Sequence, residues 1–577
     1  MSYNNTKLVA GLLGYALLAC SISGCSFDSF SKTATETSSE SSSSATEITY
    51  LNADDMFTDR DKEVGYDEDT ATAITLSDNA SSCDSSSVSI SDNTITITDE
   101  GTYLLTGSLS NGQVIVNADD KKVQLVLDSV DINCDTSAAL YVKAADKVFV
   151  TLASDSENTL SNTNDFVAID DNNIDAVIFS KDDLTFNGSG TLTVTAKYGH
   201  GIVSKDDLVI TSGTYQITAA KHALSGQDSV RIADGILTLN AGTDGIHSEN
   251  TDDDTKGFIY FANGDISITA DSDGFDAEET LQVDGGNIEV YAGDDGLHSD
   301  DDLIITAGTI NVTKSYEGLE GMTVTIEDGD ISVVSSDDGI NASGDGSSGD
   351  SSSDTKDSSA DNNSGDTNAN DSNTKGFNSN KKDDFTPPSG EDKKTPPDGN
   401  AGPGDGNGGP GGSNGGLGGG NGGPGGGMEE ATDYNLIQIS GGKIYINASG
   451  DGIDSNGNLT VTGGEIYVDG PTSGGDGALD CSGTTLISGG TVIAVGSSGM
   501  AENFDSSSAQ GSIITTVSDS LITGDITLTD SDGNTIVSYS PSKEYSSVVI
   551  SCADLKEGKI YTLVAGDTST SVFLNQK

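Results

Sequence analysis

Gly264-Asp265-Ile266-Ser267-Ile268, Asp273-Gly274-Phe275 and Leu281-Gln282-Val283 follow one another, and the same phrases then return as Asp295-Gly296-Leu297, Leu303-Ile304-Ile305 and Gly308-Thr309-Ile310-Asn311-Val312. Further copies of the middle phrase stand at Asp244-Gly245-Ile246, Glu317-Gly318-Leu319, Asp338-Gly339-Ile340 and Asp451-Gly452-Ile453, and of the third at Val324/Ile326 and Leu459/Val461. The turn glycines Gly274, Gly296, Gly318 and Gly339 set a period near 22 residues. Upstream, Ser180-Lys181-Asp182-Asp183-Leu184 returns as Ser204-Lys205-Asp206-Asp207-Leu208. Each phrase alternates apolar with polar over a few residues and is bounded by Gly or Asp-Gly, which is the signature of short strands between turns. One such repeat cannot bury its own apolar face, whereas stacked repeats share a continuous core. The expected fold is therefore all-β, a right-handed parallel β-helix with three short strands per turn, its hand following from the right-handed crossover of parallel strands.

The expected organisation follows from where this pattern starts, stops and resumes. Residues 1–25 read as a lipoprotein signal peptide: Lys7, an apolar run from Leu8 to about Ala19, then Ile22-Ser23-Gly24-Cys25, with Cys25 the residue to be acylated. Residues 26–47 form a Ser/Thr-rich linker, and 48–497 carry the coil. Within the coil, 344–433 is an insertion rich in Ser/Asp and then Gly/Pro, with almost nothing to bury, expected to be disordered. Residues 498–577 contain strands without the repeat and read as a small C-terminal β domain capping the coil. The expected location is extracellular, tied to the cell membrane by the lipid anchor alone.

The 577-residue chain has a formal net charge of -66 from 92 acidic and 26 basic residues, which excludes nucleic acid as a direct partner. Cys83, Cys134, Cys481 and Cys552 match no disulfide framework or zinc spacing and read as free thiols.

The acids are patterned. The residue before each turn glycine gives one column (Asp244, Asp273, Asp295, Glu317, Asp338, Asp451, Asp476), and the residue after the inward apolar one gives a second beside it (His247, Asp276, His298, Glu320, Asn341, Asp454). Glu278 and Asp300 extend a third, and Asp294 neighbours Asp295. Adjacent strands lie about 4.8 Å apart. Two carboxylates at that distance repel by about 3 kcal/mol at an effective dielectric near 20. A cation that accepts six to eight oxygens offsets this, and calcium is the expected cofactor. Magnesium demands tighter geometry, and four histidines offer little to zinc. The competing reading is a set of solvated Asp-Gly turns.

Several phrases together make the chain resemble the secreted carbohydrate-binding β-helix proteins of clostridia, which look like polysaccharide lyases in fold. They are Phe57-Thr58-Asp59-Arg60-Asp61, Gly101-Thr102-Tyr103-Leu104-Leu105-Thr106-Gly107, Asn117-Ala118-Asp119-Asp120, Gln124-Leu125-Val126-Leu127-Asp128, the Asp-Gly-Ile turns, Ser498-Gly499-Met500-Ala501-Glu502 and Tyr545-Ser546-Ser547-Val548-Val549-Ile550. The resemblance implies a calcium-binding, right-handed parallel β-helix that binds plant cell-wall polysaccharide, an acidic pectin-like glycan or cellulose, without lyase chemistry.

From the residues themselves, an acidic glycan binds such a surface only through calcium, and a neutral glucan needs aromatic platforms. With no Trp in the chain, Tyr445 and Tyr467 are the sugar-stacking candidates, against the blander reading of cross-strand packing. A calcium-dependent lyase would need a Lys or Arg base beside the ion, and Lys205, Lys221, Lys256 and Lys314 are the lysines near the turns. A non-catalytic surface scaffold or adhesin is the third reading.

Overall fold

A computed structural model describes residues 48–344, 432 and 434–574. The expected signal peptide, the acylation site Cys25, the linker to residue 47 and nearly all of the 344–433 insertion lie outside the described residues. Among the described residues the protein is all-β with no helix: one mixed sheet of 39 strands and a second of four.

Most of the large sheet consists of three parallel ladders, and each is made by one of the three sequence phrases. In the first, Ile266 pairs in register with Ile288, Ile310, Ile331 and, past the insertion, Ile444 and Ile466. In the second, Ile246, Phe275, Leu297, Leu319, Ile340 and Ile453 stack. In the third, Leu281, Leu303, Val324, Ile437 and Leu459 stack. All of these side chains are at most 3% exposed and belong to one continuous core. Burying each is worth about 1.5–3 kcal/mol relative to leaving it in water. A one-residue slip would turn the whole stack outward, which fixes the register. Val324 pairs Ile437 and Ile340 pairs Ile453, so the ladders resume after the insertion as if it were absent.

The sheet's ends are not left open. Near the N-terminal end the hairpin Val88–Ser91 and Thr94–Ile97 is antiparallel. At the other end Ser547–Ser551 pairs antiparallel with both Thr491–Gly496 and Ser512–Thr516, occupying the hydrogen-bonding edge of the last first-ladder strand. The four-stranded antiparallel sheet (Ile526–Thr529, Thr535–Tyr539, Ile560–Ala565, Thr568–Phe573) has a core of its own with Ile493, Val495 and Tyr545. No cysteine among the described ones is in a disulfide; Cys134 and Cys552 are buried, Cys83 and Cys481 partly so.

One segment crosses the repeats lengthwise. The Thr49 and Leu51 amides donate to Asp302 (3.1 Å) and Gln282 (2.7 Å), the Met56 carbonyl accepts from Arg231 (3.1 Å), and Asp61 pairs with Lys147 (2.9 Å) and Thr185 (2.9 Å). Gln282, Arg231 and Thr185 are outward residues of the third ladder, so residues 49–61 strap that face.

Candidate functional site

The turn residues form a column held by the backbone. The N–H of the residue after each turn residue donates to the carbonyl of the next: Gly201 to His222, Ala223 to Asp244, Gly245 to Asp273, Gly274 to Asp295, Gly296 to Glu317, Gly318 to Asp338 and Gly339 to Asp451, at 2.9–3.2 Å. Glycine recurs because the repeats approach closely. A Cβ on Gly274 would sit 2.4 Å from the Gly296 carbonyl oxygen and 2.5 Å from Val290 Cγ1. The second column is in strict register beside it: Ser225, His247, Asp276, His298, Glu320, Asn341, Asp454 and Asp480.

Three differences from the sequence reading stand out. Gly477, not Asp476, follows Asp451 in the turn column, since Gly452 N–H donates to the Gly477 carbonyl. Asp480 continues the second column and was missed because the rung's turn reads Gly477-Ala478-Leu479 instead of Asp-Gly-Ile. His222, and His200 before it, extend the turn column upward; the visible signal was Gly199-His200-Gly201-Ile202 and Lys221-His222-Ala223-Leu224 in step with Thr243-Asp244-Gly245-Ile246.

The turn acids are not solvated: Asp244, Asp273 and Asp295 are 5–7% exposed. Each lends a carboxylate oxygen to the next turn's backbone, Asp244 to Asp273 N–H (3.2 Å), Asp273 to Asp295 (2.7 Å), Asp295 to Glu317 (3.0 Å) and Asp338 to Asp451 (2.6 Å). These bonds satisfy one oxygen and leave the negative charges stacked. Repulsion is also relieved by histidine, a counter-charge the sequence reading did not assign. His298 Nδ1 lies 3.2 Å from Glu320 and 3.5 Å from Asp295, and its Nε2 is 3.0 Å from Asp300. Against the cost of burial, its bonds to Asp295 and Asp300 raise its pKa well above the usual imidazole value. His247, 2.8 Å from Asp276, is likewise lifted to about 10, Asp276 and Glu249 outweighing burial.

Beyond His298 no histidine remains, and the carboxyls are pushed up. Burial and Glu320 raise Glu317, and burial raises Glu320 despite His298. Burial with neighbouring carboxylates lifts Asp338 to about 6, Asp451 to about 7 and Asp454 to about 8. Asp273 rises to about 8 by burial and the charges of Asp276 and Asp244. Glu278 is raised by burial and by Glu249 and Asp300.

The structure brings Asp273, Asp276 and His298 together, as it does Asp295, His298 and Glu320, and Asp273, Asp294 and Asp295. Within each group the ligand atoms lie within 4.8 Å of one another. Asp338, Asp451 and Asp454 adjoin through their mutual charge effects. At the centre of the all-oxygen stretch, Asn341 is 6% exposed and donates to Glu317 (2.7 Å), yet its Oδ1 is buried without a partner. An orphaned amide oxygen among crowded carboxyls is a donor set that fits a hard divalent cation such as calcium.

The aromatic candidates lie elsewhere. Tyr445 and Tyr467 are paired in register on the first ladder, but Tyr467 stacks on Tyr539 (5.1 Å) and the Tyr445 hydroxyl bonds Asp469 (2.9 Å) and Ser542 (2.8 Å). The expectation of an open sugar platform is corrected by these contacts: the pair forms the joint with the C-terminal strands. Of the lysines considered as bases, Lys256 is paired with Asp228 (2.5 Å) and Lys314 lies over the Tyr291 ring (4.7 Å).

Fold and site define a class: an all-β repeat protein carrying a buried ladder of carboxylates and histidines along one set of turns. Over residues 91–345 the chain matches the model of the family described as "Carbohydrate-binding domain-containing protein". A relative of that description from Acetivibrio thermocellus is 37% identical over 135 residues, 23% of this chain and 47% of its own length. The chain thus spans about half the length of that curated relative. A solved structure described as the polysaccharide lyase-like protein from C. thermocellum, a gadolinium derivative, is 32% identical, covering 42% of this chain and 97% of its own, with a TM-score of 0.39.

Proposed function

We propose that the protein is a calcium-dependent polysaccharide-binding protein of the cell surface, non-catalytic, built on a right-handed parallel β-helix and held to the membrane by lipid at Cys25. The family description supports carbohydrate binding. The three parallel ladders support the coil. The calcium reading rests above all on the orphaned Asn341 Oδ1 among Glu317, Glu320 and Asp454, groups whose carboxyls burial pushes up, Glu320 even beside His298. An ion held there from one side leaves coordination positions for a uronate carboxylate, so an acidic, pectin-like glycan is the ligand this chemistry favours over cellulose.

The test is retention of the full chain on insoluble pectate and on cellulose, with calcium and with EDTA. Calcium-dependent retention on pectate without release of unsaturated uronate is the expected outcome. Calcium-independent retention, or none on either support, defeats the proposal, and unsaturated product would make the protein a lyase.

A further inference from the structure

All four histidines of the chain lie in the two columns, and three gather at one end of the ladder. His200, His222 and His247 stack in series, with ring centroids 4.7 Å and 4.3 Å apart and planes inclined by 19° and 7°. Their nitrogens meet carboxylates. His222 Nδ1 is 2.7 Å from Asp244 Oδ2, His247 Nδ1 is 3.8 Å from that same oxygen, and His247 Nδ1 is 2.8 Å from Asp276 Oδ2. Thr243 Oγ1 also reaches His222 Nδ1, at 2.9 Å. Donor atoms around a tetrahedral zinc-class ion stand about 3.3 Å apart, given metal–ligand distances near 2.0–2.1 Å. These three pairs straddle that spacing, two inside it and one outside, and the ligand atoms of His222, Asp244 and His247 all lie within 4.8 Å of one another. A second observation marks the same place. His200 is 9% exposed, and its Nδ1 is buried with no hydrogen-bond partner, although its ring is packed on that of His222. Buried polar nitrogens are almost always satisfied, and this one stays unsatisfied in a ring packed directly against the donor set.

We propose that His222, Asp244, His247 and Asp276 form a site for a borderline divalent transition metal of the zinc class, distinct from the oxygen-only calcium site further along the ladder. Two imidazoles and two carboxylates suit zinc, cobalt or nickel, whereas calcium takes oxygen donors and gains little from nitrogen. Binding requires the His222 and His247 rings to turn out of their parallel stack so that both lone pairs converge, and it displaces the proton that His247 holds against Asp276 and Glu249. One set of turns would then sort two kinds of cation: nitrogen-rich at the His end, and hard oxygen donors from Glu317 onward. The position at the start of the acid column makes the metal a counter-charge for Asp244 and Asp276 as well.

The experiment uses the full chain stripped with EDTA. Cobalt(II) is titrated and followed by visible absorption, then displaced by zinc; separately, zinc retained after dialysis against millimolar calcium is counted by elemental analysis. The expected results are a tetrahedral cobalt band, one zinc retained per chain, and a loss of zinc affinity of at least about 100-fold in His222→Gln or His247→Gln, more than an outer-shell partner usually costs. Asn341→Ala should leave zinc retention unchanged while lowering calcium affinity, so that this site and the calcium site fail independently. Should one histidine variant not fold, the other is read. Absence of the cobalt band in the unaltered protein, displacement of zinc by calcium at comparable concentration, or unchanged zinc affinity in a folded histidine variant overturns the assignment.

Discussion

His298→Gln removes the imidazolium that separates two stacked carboxylates while keeping a polar side chain of similar reach. The His298 side chain is 14% exposed, against 10% for Asp295 and 19% for Glu320, so the charges it balances are poorly screened by water. Asp300, at 68%, is largely solvated and contributes little. Deleting one partner of a buried ion pair typically costs about 3–5 kcal/mol, because the other charge stays buried and unpaired. We expect a loss in that range at pH 8 in EDTA, read from urea denaturation midpoints. Two conditions should shrink it. At pH 5 Asp295 and Glu320 can hold a proton between them, replacing the lost positive charge. Saturating calcium should also restore stability, by about 2.7 kcal/mol at a hundred times its Kd, and should help the variant more than the unaltered protein, whose imidazolium competes for the same oxygens. An equal loss under all conditions would mean that His298 acts by packing, and the electrostatic account of the ladder would be refuted.

Gly296→Ala places a Cβ 2.5 Å from the Gly318 carbonyl oxygen and 2.8 Å from Val312 Cγ1, and overpacking of this kind costs about 1–3 kcal/mol; a change in denaturation midpoint near zero would show that the rungs can separate freely. Without calcium, Asp338, Asp451 and Asp454 hold protons when folded that they release when unfolded, so stability should fall as pH rises through about 6 to 8. Calcium competes with those protons, so its stabilising effect should be larger at pH 8.5 than at pH 5.5, as melting curves at the two values would reveal. Lys147→Met leaves Asp61, only 3% exposed at its side chain, without its cation and should cost about 3–5 kcal/mol, with the 49–61 strap becoming the first site of proteolytic cleavage.

Much of this fold was legible because one physical constraint writes itself into the sequence many times. Ile266, Ile288 and Ile310 must fall on one line to share a core, so the spacing of the phrases is the register of the ladders. The columns of the site were legible for the same reason, since a residue at a fixed offset from an inward aliphatic inherits its register. What failed to show was chemistry that breaks the phrase without breaking the rung. Ala223 and Ala478 replace the turn glycine, and His200 and His222 the turn acid, so a search for Asp-Gly passes over them. Tyr445 and Tyr467 failed differently: their stacking along the ladder is local and readable, but Tyr539, which covers Tyr467, comes from a strand about seventy residues on with no repeat to announce it.

The composition of the columns then bears on why the ladder tolerates its own charge. A stack of buried carboxylates survives only if each rung finds a counter-charge, a proton or a backbone donor. The rungs use these in sequence: His222 and His247 against Asp244 and Asp276, His298 against Asp295 and Glu320, the Asn341 amide and the Ser343 hydroxyl donating to Glu317 and Glu320, and further on the backbone N–H of Asp451 donating to Asp338. Where imidazole is present, neighbouring acids can stay ionised, as Asp244 does, held down to about 2 by His222 against the cost of burial. Where it is absent, Asp338, Asp451 and Asp454 rise toward or above neutrality, and burial lifts Asp273 and Glu320 as well, although His298 adjoins both. A ladder needed only for solubility would put its acids outward in water; this one buries them, raising Asp273 and Asp454 alike to about 8, which is the arrangement expected if the column recruits cations.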